Sequence, residues 1–228
     1  MTISLPAGVV RELVLTDNAP SRTIIAEEGS TTTVFDRGGL GDHHVTLTIK
    51  GDARVEYAFF SDHGGTATIM ATLEQPGASL AVTVTTIGAG EEILDCITTI
   101  FHAAPHTESA VTVRSVLFDQ ASMSWSGMTH LSPEASASRG YQRYAALLLG
   151  SGSSAHPNPQ LRIENNQVAC GHAASVGHLD PEQLFYAMSR GFTKENAEHA
   201  IIEGFIAPDA SPWNKDIRES LRRCIQSS

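Results

Sequence analysis

Apolar residues alternate with threonines and other small or polar residues through most of the first 177 positions, and this period of two constrains the fold more than any other feature of the sequence. Val45, Leu47 and Ile49 alternate with Thr46, Thr48 and Lys50. Val55, Tyr57 and Phe59 alternate with Glu56 and Ala58, and Leu80, Val82 and Val84 with Ala81, Thr83 and Thr85. Ala67, Ile69, Ala71 and Leu73 keep the same step, as do Val111 with Val113 and Met123 with Trp125. Successive side chains of a strand point to opposite faces, so each run has one side turned inward. β-Branched residues suit such a pleated surface, and 19 of the 20 threonines precede residue 150. Gly51-Asp52, Gly64-Gly65, Pro76-Gly77, Gly88 to Gly90 and Pro105 punctuate the runs. Strands starting roughly every 10–14 residues predict an all-β body: a sandwich, a barrel or a β-solenoid. Short strands with small residues at the turns suit a solenoid, in which each rung buries itself on the next. No strict repeat period is present, which leaves the other two architectures open.

The character of the chain changes near its end. Residues 178–228 hold 14 of the 40 charged residues. Asp180-Pro181-Glu182-Gln183 is a helix start, with an Asp cap, proline at the first position and Gln three residues after the cap. Leu184, Phe185 and Met188 give that helix an apolar face, and Gly191 closes it. Thr193 caps a second helix with Ala197, Ala200, Ile201 and Phe205 at helical spacing, stopped by Pro208. Pro212 opens a third, with Ile217, Leu221 and Ile225 on one face and Arg218, Arg222 and Arg223 placed to favour its C-terminal dipole. The expected organisation is a β core over 1–179 and a helical segment over 180–228.

Composition excludes several functions. With 41% apolar and 18% charged residues the chain is expected to fold rather than stay disordered. A net charge of −10 argues against a nucleic-acid or anionic-membrane surface, whose affinity comes from Lys and Arg. The start, Met1 to Gly8, has no basic n-region, and no apolar run approaches the roughly 18 residues of a membrane helix. The cysteines are Cys96, Cys170 and Cys224, an odd set of lone thiols that fits a reducing, cytoplasmic setting and cannot build a disulfide framework or a four-thiolate site alone. Neither a Gly-x-Ser-x-Gly elbow, a phosphate-binding Gly-x-x-x-x-Gly-Lys-Ser/Thr loop nor a His-Glu-x-x-His pair occurs, so no enzymatic activity is expected.

The densest candidate for chemistry is Cys170-Gly171-His172, with His178 six residues later. On a strand, residues two apart face the same side, so a thiol and an imidazole would point together, a pair suited to iron or zinc. The competing reading is a small buried cysteine beside a turn histidine. His43 and His44 are adjacent and would face opposite ways. His102 and His106 flank Ala103-Ala104-Pro105, read as a surface turn, and His156 lies in Ser-Ala-His-Pro-Asn-Pro, read as a loop. Cys96 reads as a packed strand thiol, and nothing decides between packing and exposure for Cys224.

Several stretches together resemble the C-terminal core of the SufB/SufD family. They are Leu147-Leu148-Leu149, Pro159-Gln160-Leu161-Arg162-Ile163-Glu164, Cys170-Gly171-His172-Ala173, Gly177-His178-Leu179-Asp180, Gln183-Leu184-Phe185-Tyr186 and Ser189-Arg190-Gly191. Upstream, Leu94-Asp95 with Thr98, His102 and Ser109, then Asp119-Gln120-Ala121 and Gly127, look like the same family's pattern. The likeness is close over about residues 90–207 and only a general rung pattern over 10–90. It implies a parallel β-helix core with C-terminal helices, and work in iron–sulfur cluster assembly beside a SufC-like ABC ATPase. It implies that the core associates with a SufB/SufD-like chain, as a hetero- or homodimer, and that the helices from Pro181 to Ala207 receive the ATPase through Gln183, Leu184, Phe185, Tyr186, Arg190 and Gly191. By position, Cys170 and His172 match the cysteine and histidine of the SufD-type segment and would form half of an interface metal site. SufB-type members carry a scaffold cysteine where this chain has Ser153, and a glutamate where it has Ala173. The chain therefore looks SufD-like and short, without a counterpart of the N-terminal helical region of larger members.

Three functions follow as expectations. The first is a SufD-like scaffold subunit that binds no cofactor alone but shares a transient iron–sulfur cluster or iron with a partner through Cys170 and His172. The second is a structural or regulatory β-helix module of the same assembly that binds no metal. The third, a β-helix metalloenzyme using the histidines, suffers from the absence of any convincing co-ligand pair outside 172–178.

Overall fold

The computed structural model describes residues 1–8, 10–16, 19–38, 41–206 and 214–227. One seven-stranded sheet contains β1 (Thr2–Leu5), β3 (Ser21–Ala26), β5 (His43–Ile49), β7 (Gly65–Leu73), β9 (Ile93–His102), β11 (Ser122–Leu131) and β13 (Ser154–Ile163), in that order. The other contains β2 (Val10–Leu15), β4 (Thr31–Arg37), β6 (Arg54–Ser61), β8 (Ser79–Gly88), β10 (Glu108–Leu117), β12 (Arg139–Leu148) and β14 (Ala169–Gly177). The pairings are parallel, as in β8 with β10 and β9 with β11. The chain thus passes from one sheet to the other and back, layer on layer, which is a parallel β-solenoid and neither a sandwich nor a closed barrel.

Register turns the period of two into columns. Ile24, Leu47, Ala71 and Ile100 stack on one inner wall, and Val55 and Leu80 on the other. These residues belong to one continuous apolar core between the sheets. The missing repeat period has a simple cause. Thr2 pairs with Thr23, 21 residues on. Val45 pairs with Ile69 after 24 residues, Cys96 with Trp125 after 29, and Trp125 with Pro157 after 32. Strands lengthen along the chain from 4 residues in β1 to 10 in β13, so the solenoid widens and no fixed spacing can appear. The turns between layers stay tight: Asp52 has φ +54° and Gly77 φ +79°. A Cβ on Gly77 would lie 2.0 Å from Asp52 Oδ1, so that turn requires glycine for space as well as for conformation.

Among the buried polar residues, Asp36 and His102 were not expected inside the core. Towards the narrow end, the Asp36 carboxylate is wholly buried. It accepts from Tyr57 Oη at 2.7 Å and from His43 Nε2 at 3.0 Å, and lies 3.5 Å from Arg22 Nη1. Further along, His102 is not in a surface turn. It ends β9 in an inward column between Leu73 and Leu131 and is fully buried, while His106 is the exposed turn residue. Its two ring nitrogens meet Thr107 Oγ1 and Ser109 Oγ, each at 2.7 Å. The sequence motif containing His102 and Ser109 therefore marks an internal hydrogen-bonded pair.

Burial pushes His102 down to about 4 from 6.5. The unfolded imidazole takes up its proton as pH falls through about 6.5, and the folded one only near 4, so this contribution to stability is complete above 6.5 and is lost across that window. The loss amounts to roughly 3 kcal/mol at most. Urea unfolding between pH 7.5 and 4.5 should show it, and His102→Gln should flatten the pH dependence; an equally steep profile in the variant would remove His102 as its source.

The C-terminal elements are α1 (Pro181–Ser189), α2 (Lys194–Ile206) and α3 (Asn214–Ser227). Asp180 caps α1 by accepting from the Glu182 N–H at 2.8 Å, and Thr193 Oγ1 caps α2 by accepting from Asn196 N–H at 3.2 Å. The expected stop at Pro208 and start at Pro212 lie outside the described residues. Ile202 and Ile206 of α2 and Ile217 and Leu221 of α3 pack with Phe35, Phe60, Ile87 and Val116 in a second apolar cluster. Arg114 of β10 donates to the Phe205 carbonyl at 2.7 Å, and Asp62 receives Ser220 and Arg223 of α3. Arg218 pairs with Glu203, so α3 spends these arginines on cross-element ion pairs; its last turn carries no basic residue.

Candidate functional site

The solenoid ends at β13 and β14, each with a neighbour on one side only. On β14, Cys170 continues the inward column Leu80, Ser109, Gly140, and His172 continues Val82, Val111, Gln142. Both side chains therefore face the interior of a layer on which, among the described residues, no further strand is stacked. Cys170 is half-buried and His172 exposed, although every residue named below them in those columns is buried. They lie two residues apart on one face, about 6.6 Å along the strand. Desolvation raises the Cys170 thiol above its usual range, so it is protonated at neutral pH until a metal displaces the proton. A thiol and an imidazole side by side are soft donors suited to iron or zinc. Two donors are too few for a closed site, and among the described residues no group of three or more His, Cys, Asp or Glu side chains is placed to hold a metal ion.

The layer beneath shapes this face. Gln142 is buried under His172, and its Nε2 donates to Thr129 Oγ1 at 2.7 Å and to the Gln160 carbonyl at 3.0 Å, which pins the amide across the interior. Trp125 donates to Thr98 Oγ1 at 3.1 Å and stacks on Tyr144 with ring centres 5.5 Å apart. Neither Gln142 nor Tyr144 was singled out in the sequence, though both fall on the same parity as Gly140 along β12, the signal that would have found them.

Other candidates do not join the pair. His178 lies beyond the end of β14, about 26 Å along the chain direction from Cys170, and its Nδ1–H donates to the Leu148 carbonyl at 2.9 Å. Ser153 sits in a turn and donates to the Gly150 carbonyl at 2.8 Å. Cys96 is core, its thiol pushed up to about 12 by burial. Cys224 is half-buried against the second apolar cluster. His156 lies in strand β13 rather than in a loop, with its side chain exposed. The reason is the edge: Ser154 donates its N–H to the Ala121 carbonyl, just before β11, and Glu164 to that of Leu131 at its end. Alternate residues share that direction, so Pro157 and Pro159 fall where an N–H would point to the open side and none is needed.

The helices carry a second unpartnered surface. No residue of α1 is buried. Phe185 is 74% exposed and Tyr186 60%, and Met188 and Phe192 extend the patch beyond the expected residues. Phe185 and Met188 of the apolar face of α1 are thus turned to solvent. Arg190 lies over the Tyr186 ring at 5.0 Å and donates to its hydroxyl at 3.1 Å. Leu184 is half-buried, and Gly191 ends the helix with φ +98°. Gln183 lines a groove of about 530 Å³ with Val176, Leu179, Ile201 and Phe205, between the end of β14 and α2.

A widening parallel β-solenoid, left open at a strand bearing Cys170 and His172 and followed by helices, defines the class: a β-helix core with C-terminal helices. Residues 10–205 match the family model described as SUF system FeS cluster assembly, SufBD core domain, and the chain belongs to that family. It is similar to the iron–sulfur cluster assembly protein SufD of Bacillus subtilis (strain 168), with 33% identity over 207 residues, covering 88% of this chain and 45% of that protein. It is also similar to an iron–sulfur cluster assembly SufBD family protein of Staphylococcus aureus (strain MRSA252), 26% identical over 247 aligned residues, covering 95% of this chain and 52% of the relative. The chain thus spans about half the length of these relatives. Among the described residues no helix is long and apolar enough to cross a membrane.

Proposed function

We propose that this chain is a SufD-like subunit of an iron–sulfur cluster assembly scaffold. The observation that carries this reading is the placement of Cys170 and His172 on the inward face of β14, the edge strand that ends its sheet in a SufBD core. There they form half of a site for iron or a nascent cluster, which is the cargo of the assembly, and a partner chain supplies the other half. The 180–228 segment serves as the dock for a SufC-like ABC ATPase, with Phe185 and Tyr186 as anchors and Gln183, Leu184, Arg190 and Gly191 around them. Exposed aromatics beside an arginine are the residue types that dominate interface energies. ATP-driven movement reshapes the site only if the ATPase binds its two states with different affinity.

Co-expression with a SufB-like chain and a SufC-like ATPase tests both halves of the reading. Phe185→Ala with Tyr186→Ala is expected to weaken ATPase capture at least 100-fold, about 3 kcal/mol, while leaving unfolding unchanged because neither residue is buried. His172→Ala and Cys170→Ser should lower the iron retained by the anaerobic complex without preventing assembly. An assembled complex that never retains iron, in wild type or variants, would instead establish the metal-free structural module, a role suited to a chain with Ser153 and Ala173 where SufB-type members carry a cysteine and a glutamate.

A further inference from the structure

The outer face of the sheet that ends in β14 carries a surface of its own, on the side away from the inward-pointing Cys170 and His172. The outward residues at the start of β12 are Arg139, Tyr141 and Arg143, all exposed. Register flanks this row with small residues: Ala110 and Thr112 on β10, and Ala169, Gly171 and Ala173 on β14. Three large side chains thus form a ridge beside shallow gutters. Tyr141 is 51% exposed. Its ring leans towards Gly171, where an added Cβ would meet two of the ring carbons at 3.7 and 3.8 Å. A hollow of about 460 Å³ lies there, lined by Ala110, Thr112, Tyr141, Arg143, Gly171 and Ala173.

The charge of this face runs against that of the chain. The net charge is −10, yet the outward charged residues of β8, β10, β12 and β14 are Arg114, Arg139 and Arg143 against Glu108 alone. Arg114 is tied to the Phe205 carbonyl, so α2 walls the face on that side. Arg139 lies 3.7 Å from Glu108 with both side chains more than half exposed, a contact that contributes little. Among the described residues no carboxylate pairs with Arg143. We propose that this ridge docks an extended acidic segment of a partner protein, with carboxylates four residues apart on Arg139 and Arg143 and an apolar side chain between them on Tyr141. Four residues of extended chain span about 13 Å, the same distance that separates Arg139 from Arg143 along β12. A guanidinium holds a carboxylate through paired N–H donors, and exposed tyrosine beside arginine is the combination that dominates interface energies. The alanine and glycine floor lets a second backbone approach the ridge. Negative charge over the rest of the chain repels an acidic partner, so the ridge also fixes where it lands. Neither the metal reading of Cys170 and His172 nor the ATPase dock is needed for this.

The test uses the full chain and end-blocked, fluorescein-labelled peptides. Anisotropy should show saturable binding of Glu-Ser-Trp-Ser-Glu below about 1 mM. The rearranged Glu-Glu-Trp-Ser-Ser has the same charge but cannot reach both arginines, and should bind about 10-fold more weakly or worse, as should Lys-Ser-Trp-Ser-Lys. Binding should weaken as salt rises. Arg143→Glu and Tyr141→Ala should each weaken it by about 10-fold or more with unchanged circular dichroism, because both side chains are exposed. Absence of saturable binding, equal binding of the rearranged peptide, or indifference to Arg143→Glu would overturn the inference. Displacement by an equal concentration of inorganic phosphate would make this a small-anion site, and self-association abolished by Arg143→Glu would make a second copy the occupant; either result removes the extended partner segment.

Discussion

Asp36→Ala is expected to destabilise the fold by roughly 3–5 kcal/mol, the loss typical of breaking a buried ion pair from one side. Removal of the carboxylate takes the acceptor from the buried Tyr57 and His43 donors and the nearby negative charge from the buried Arg22 guanidinium. For a chain of 228 residues this corresponds to a fall in Tm of about 10 °C or more. Asp36→Leu combined with Arg22→Met should recover most of the loss, because a buried pair replaced by apolar groups of similar size is often neutral or better. Thermal and urea unfolding of both variants checks the claim. A single-variant loss under about 1 kcal/mol would show that the carboxylate does not hold this end of the solenoid together.

The Asp36 cluster also marks where sequence reasoning stops. Arg22 and Asp36 lie in regions without clean alternation, and a charged residue at an inward position looks like an outward one until the register is known. The runs Val45 to Ile49, Val55 to Phe59 and Leu80 to Val84 were legible because apolar and polar residues alternate cleanly there, and they became β5, β6 and β8. The solenoid itself was not decided by the pattern. Its layers grow from 21 to 32 residues, which erases the period that identifies such folds, and it was the family resemblance that pointed to it. His102 was misplaced because Pro105 suggested a surface turn, while its buried hydroxyl partners Thr107 and Ser109 come from the next strand and its approach.

The pairing of Cys170 with His172 was legible from parity alone, since two residues apart on any strand face the same way. What parity could not show is that the strand is the last one. That depends on which neighbours β14 lacks, a property of the whole stack. The same limit applies to Pro157 and Pro159, which read as loop residues until their N–H positions are known to face the free edge. The helical start at Asp180 was legible because capping is local. The outward turn of Phe185 and Tyr186 was not, because amphipathicity says that a face seeks a partner without saying which chain supplies it.

Trp125→Ala is expected to cost a further large amount, roughly 3–5 kcal/mol, through the cavity left in the layer next to the open end. The indole is buried, stacked on Tyr144, and occupies the space that a side chain at position 127 would fill. A Cβ on Gly127 would lie 2.2 Å from Trp125 Cζ2 and 2.5 Å from Gln142 Oε1. Gly127→Ala alone should therefore destabilise by overpacking, by about 1–3 kcal/mol. The two effects are of opposite volume at one place, so they should not add. In the Trp125→Ala background Gly127→Ala should be close to neutral, and the double variant should be more stable than the sum of the singles by at least 1 kcal/mol, a coupling normal for residues in contact. Additive losses in urea unfolding would mean that the indole does not fill the space above Gly127. The coupling matters for function because Gln142 is the third member of this contact and lies directly beneath His172. A change that shifts the indole moves the amide under the imidazole, so Gly127→Ala should disturb metal retention by the assembled complex even where the protein remains folded, while an apolar change of similar cost in the narrow layers, such as Ile24→Val, should not.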